Sequence, residues 1–187
     1  MESLQDRIGV ALAWCEVEHE RDSYELRDPE HSDRVYATLR WPSSRSWHAV
    51  TETAEGDWSF DWRGVLHQRV VIRRAPRDPE QATAQIDAPL AEMPISGWRY
   101  GGTVRLPSGR SYTWKNMGGW GSNWVFTDDN GLVVLQAYLK WHWKRTEMSV
   151  TIPPDIRPAA DISLLAVRAV YLLVSYTEDM QVAAGMG

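Results

Sequence analysis

The chain lacks the means to form a disulfide. Cys15 is the single cysteine among 187 residues, so no intrachain bridge is possible, and this usage fits a reducing, cytoplasmic setting. The expected role of that thiol is a small buried apolar residue. A cationic surplus is also missing: 20 Lys and Arg stand against 25 Asp and Glu, for a net charge of -5. General nucleic-acid binding is thereby disfavoured, because phosphate neutralisation needs an excess of Lys and Arg. No apolar run reaches the roughly 20 residues of a transmembrane helix. Ile162 to Tyr176 is the longest, and Arg168 interrupts it. Ile8 to Trp14 is shorter still and follows Glu2 and Asp6, which is not the basic lead of a secretory signal.

Catalytic and metal-binding patterns are absent as well. His19, His31, His48, His67 and His142 are scattered without ligand spacing or thiolate partners, so no metal site is expected. Gly118-Gly119-Trp120-Gly121 is followed by no phosphate-loop lysine and no dinucleotide-binding spacing, and reads as a turn beneath Trp120 and Trp124. No nucleophile, base and oxyanion donors can be grouped. The expectation is a protein with no enzymatic activity, no catalytic residues and no cofactor.

What is present is tryptophan, 11 copies against two of phenylalanine. Large rigid rings suit wide β surfaces and a barrel interior. Length and composition fit one domain over 1–187, with a core from about 14 to 176. Most of the chain has period two. Trp58, Phe60 and Trp62 alternate with Ser59, Asp61 and Arg63; Val35, Ala37, Leu39 and Trp41 alternate with Arg34, Tyr36, Thr38 and Arg40. Met148, Val150 and Ile152 alternate in the same way with Glu147, Ser149 and Thr151. Half-buried antiparallel strands produce this pattern.

Further strands are expected at Tyr24–Arg27, Ala49–Thr53, Arg69–Arg74, Thr83–Ile86, Thr103–Leu106, Ser111–Lys115, Trp124–Thr127 and Val133–Trp141. Turn chemistry separates them at Glu55-Gly56-Asp57, Pro107-Ser108-Gly109 and Asp129-Asn130-Gly131. About a dozen short strands at this spacing make a sandwich or a barrel.

A slide of about 100 residues aligns two segments without gaps and favours the barrel. Tyr24, Leu26 and Asp28 fall on Trp124, Phe126 and Asp128, and Val35 to Trp41 fall on Leu135 to Trp141. After Pro153-Pro154 the period changes. Pro158 and Asp161 suit a helix start, and Ile162 to Tyr176 is apolar on nearly every side, as a buried helix requires. The remainder, 177–187, reads as a flexible tail.

The pairs Tyr24-Glu25-Leu26-Arg27-Asp28 and Trp124-Val125-Phe126-Thr127-Asp128, each followed by a turn and an alternating strand, resemble the superfamily of tubby C-terminal, phospholipid-scramblase and LURP-one-related domains. The closing apolar helix resembles it too, and the likeness covers Trp14 to Tyr176. It implies a closed antiparallel β-barrel of about twelve strands enclosing a hydrophobic C-terminal α-helix. Members of that superfamily are associated with phosphoinositide binding, with lipid-linked roles, or with no established activity. Two departures limit the transfer. Asp128-Asp129-Asn130-Gly131 lacks the later ligands of a calcium loop, and the basic phosphoinositide contacts of tubby match no positions here.

Two clusters of basic and indole side chains end the two repeats. Arg40, Trp41, Arg45 and Trp47 close the first; Lys140, Trp141, Trp143, Lys144 and Arg145 close the second. Indoles settle at headgroup depth and cations meet anionic lipid, so these residues are the candidate membrane-surface site. Trp41 and Trp141 continue the apolar register of their strands, which makes the others the better candidates. Two partner classes follow: an anionic lipid surface, approached peripherally without a transmembrane span, or a protein docked on a scaffold barrel. Arg168 is the expected buried charge, with a carboxylate or clustered carbonyls as its expected partner and an internal anion site as the alternative.

Overall fold

A computed structural model of the chain describes the backbone of residues 1–18, 20, 22–42, 47–64, 69–75, 89–94, 101–106, 108–118, 122–142, 145–156 and 161–183. Side chains are described for these except 122, 141–142, 145–146 and 176–183. A 3-10 turn, Leu4–Arg7, precedes twelve strands. They are β1 Ala11–Glu16, β2 Ser23–Asp28, β3 His31–Arg40, β4 His48–Thr53, β5 Asp57–Arg63, β6 Arg69–Arg74, β7 Ala91–Pro94, β8 Gly101–Arg105, β9 Ser111–Asn116, β10 Ser122–Thr127, β11 Val133–His142 and β12 Arg145–Thr151. A single helix, α1, spans Asp161–Ala183.

The sheet order is β7-β6-β5-β4-β3-β2-β1-β12-β11-β10-β9-β8, antiparallel throughout. Two meanders are therefore joined where β1 pairs with β12, and the free edges β7 and β8 lie side by side. The result is a nearly closed barrel. Among the described residues no ladder joins β7 to β8. β7 is short and ends in Pro94, which has no N–H to donate, a residue suited to an edge. Opposite it Gly102 leaves no side chain: a Cβ there would stand 2.5 Å from the Pro94 carbonyl.

Inward positions follow the period-two reading. Ala37, Leu39, Trp58, Phe60, Met148, Val150 and Ile152 are buried. Tyr36 is buried as well, against its polar-face assignment, because the β2–β3 register shifts beside it, between Leu26 and Arg27. Cys15 is exposed, which overturns its expected burial. On β1 it is Leu12 and Trp14 that face inward, so Cys15 belongs to the other face.

Both repeats build a hairpin on the same device. The Oδ1 of Asp28 accepts from the Glu30 amide, and the Oδ1 of Asp128 accepts from the Asn130 amide, each at 2.9 Å. Gly131 completes the second turn at φ +79°. Their pairings differ by two residues: Leu26 faces Ala37, whereas Trp124 faces Ala137. An even slip preserves which side chains point inward.

The helix fills the barrel. Every residue from Ile162 to Leu173 is buried, so no face of that segment meets water. It is tied at its start and at mid-length. At its start Ser163 donates to Glu55 at 2.7 Å, and Asp161 accepts from Tyr112 and Ser108, each at 3.1 Å. Farther along, the Tyr171 hydroxyl donates to the Trp47 carbonyl at 2.8 Å, and its ring stacks on Phe60 and Trp41. The helix continues to Ala183, through residues 177–183 that the sequence assigns to a flexible tail. Between Thr177 and Ala183 there is no glycine or proline to stop it; Gly185 is the first.

Candidate functional site

Strand directions decide where the two basic–aromatic clusters fall. From β3 to β11 the sheet runs through β2, β1 and β12, four antiparallel steps, so β3 and β11 point the same way. Their C-terminal ends lie on one rim, about 19 Å apart along the sheet at roughly 4.8 Å per strand. This is the rim toward which α1 runs, since Tyr171 reaches Trp47 there.

On that rim Trp47 is 48% exposed, with its ring 5.5 Å from that of Trp62. Its backbone is fixed, because the Trp47 carbonyl accepts from both Tyr171 and the Trp62 amide. Trp41 does the opposite: it is partly buried against the core, edge-on to Tyr24 and stacked on Tyr171 at 5.8 Å. Arg40 is exposed and shares a shallow outer depression with Glu20, Glu25 and Glu52. Lys140 is exposed and stands opposite Glu147 on β12. Arg45, Trp143 and Lys144 lie outside the described residues. Arg145 and Trp141 are described by backbone alone, as the first residue of β12 and the partner of Thr146.

Sequence reasoning missed what lies between the clusters. The β1–β2 hairpin reaches the same rim and exposes Glu16, Glu18 and Glu20. The two basic strand ends are thus separated by an acidic sector. Exposed Met117, just after β9, adds a second apolar point to the rim. Neither is visible in sequence, because both depend on which strand ends are neighbours.

The second candidate is interior. Arg168 is fully buried, and its Nε, Nη1 and Nη2 have no hydrogen-bond partner among the described residues. The expected carboxylate or carbonyl cluster is not found there. Burial lowers its pKa to about 9. The group remains a cation at neutral pH. The indole N–H groups of Trp14 and Trp114 are likewise buried and unpartnered. Among the described residues no three His, Cys, Asp or Glu side chains group as metal ligands, and no helix is long and apolar enough to cross a membrane. No protein-family model, curated protein or solved structure matches the chain.

Proposed function

We propose that the protein is a non-enzymatic binding module that docks one barrel rim on an anionic lipid surface. The observation that carries this reading is the shared direction of β3 and β11, which brings both basic–aromatic strand ends to one rim. An exposed Trp47 on a fixed backbone stands beside the first of them. The resemblance to tubby and scramblase domains points to the same ligand class. Each cation near such a surface contributes roughly 1 kcal/mol and is screened beyond a Debye length. Docking is therefore weak and sensitive to salt.

A second reading, docking of a protein partner, is favoured by Glu16, Glu18 and Glu20 on the same rim. Alternating basic and acidic sectors suit a surface of complementary pattern better than a uniformly negative one. Co-sedimentation with anionic and neutral vesicles at low salt separates the two. Lipid docking predicts preference for anionic vesicles, loss of binding in Lys144→Glu, Arg145→Glu, and stronger binding in Glu18→Gln, Glu20→Gln. Equal binding by all three proteins, or no binding, removes the lipid reading and leaves the partner reading.

A further inference from the structure

Among the described residues nothing compensates the buried Arg168 cation, and the helix gives its location. Asp161 and Arg168 are seven residues apart, two turns at 3.6 residues each, so they share one face of α1 about 10 Å apart along its axis. Asp161 meets Tyr112 and Ser108 of the β8–β9 hairpin. That face therefore looks toward β8 and β9. Trp114 follows Tyr112 by two residues on β9, and both rings are buried. It lies about 7 Å farther from the hairpin turn, in the direction in which the helix carries Arg168.

Arg168 and Trp114 are thus brought to the same side and a similar depth of the barrel. Both are hydrogen-bond donors only, and neither has an acceptor among the described residues. The indole nitrogen lies over Gly102, where a Cβ would stand 3.0 Å from it. The other buried charged residues described, Asp28 and Asp57, sit at strand ends on the opposite rim, where the helix begins. A guanidinium enclosed without a counter-charge is strongly unfavourable, and two buried donors of different kinds need an acceptor that the described residues do not supply.

We propose that the barrel holds a small monovalent anion, with a carboxylate as the best match, bound by the guanidinium fork of Arg168 and the indole N–H of Trp114. One charge sets the valence: a dianion would leave a net buried negative charge. The planar fork selects a carboxylate over a spherical halide, because two parallel N–H groups match its two oxygens. Full burial of Arg168 limits the anion to a small one, or to the head of a slim acyl chain.

The test begins with protein refolded from denaturant in a buffer whose only added anion is gluconate, whose hydroxylated chain an apolar interior excludes. Formate, chloride or octanoate is then titrated at constant ionic strength while the melting temperature is recorded. The expected result is a saturable rise with formate, about 5–10 °C at a hundredfold excess over Kd, with a weaker response to chloride. Arg168→Leu should abolish the rise, and Trp114→Phe should weaken formate binding severalfold. A response to octanoate but not formate would support the site and assign its carboxylate to an acyl chain. No difference between formate and gluconate, with no octanoate response, would overturn the proposal, as would an undiminished rise in folded Arg168→Leu. Should the leucine variant not fold, Arg168→Lys decides: it keeps the charge without the fork, and an unchanged preference for formate over chloride would overturn the site.

Discussion

At the scale of single residues, the balance between Arg168 and its surroundings is set by desolvation. Burial alone lowers its pKa to about 9, and a depression of that size corresponds to on the order of 5 kcal/mol of lost stability. In buffer without a small anion, Arg168→Leu is expected to be neutral or to stabilise the protein by about 1–4 kcal/mol, since an apolar side chain of similar bulk escapes that penalty. The pH dependence has a definite sign. Above pH 9 the folded protein gives up the guanidinium proton while the unfolded chain still holds it, so stability rises with pH. The advantage of Arg168→Leu is therefore full below about pH 9 and shrinks as pH climbs toward the ordinary guanidinium range. Paired urea titrations at pH 7, 9 and 10.5 measure it; a difference constant across that range would mean Arg168 does not titrate as a desolvated cation. Arg168 was legible in sequence as a buried charge, from one cation in an apolar run. That no described residue partners it was not, because that depends on what every inward strand position supplies.

At the scale of elements, the helix and the strands were legible to different degrees. β2 to β6 and β8 to β12 announce themselves through alternation, and β6 spans Arg69–Arg74 as read. β1 did not, since Ala11, Ala13 and Cys15 are poor strand markers and only Leu12 and Trp14 carry its inward face. β7 was hidden by its four residues and by Pro94. The strand expected at Thr83–Ile86 falls outside the described residues. The helix was plain because no side of it is polar, although its end was set too early. Leu165 and Leu172, two turns apart, are 0% and 2% exposed. Leu165→Ala and Leu172→Ala are each expected to cost about 2–5 kcal/mol, the range for a buried leucine replaced by a cavity. Equilibrium denaturation measures this, and losses below about 1 kcal/mol at both positions would mean the helix packs loosely in its barrel.

At the scale of the molecule, the chain is a ring of strands whose core is one helix. Each meander alone would leave an apolar face open, and β1 with β12 joins the two. Closure then depends on α1, which meets the 3-10 turn and strands from both meanders, β3 and β4 in one and β10, β11 and β12 in the other. Antiparallel order sends alternate strand ends to alternate rims, so the C-terminal ends of β3 and β11, a hundred residues apart in sequence, share one rim. Sequence supplied the clusters and could not supply the acidic sector between them.

The central claim, that α1 is the structural core, is tested most directly by native-state hydrogen exchange. Amides buried on all sides open only when the whole barrel opens. The account predicts that amides from Leu165 to Leu173 exchange among the slowest in the protein, with the free energy and denaturant dependence of global unfolding. Rapid exchange of those amides while β1, β11 and β12 stay protected would contradict it, because the barrel would then stand without its helix.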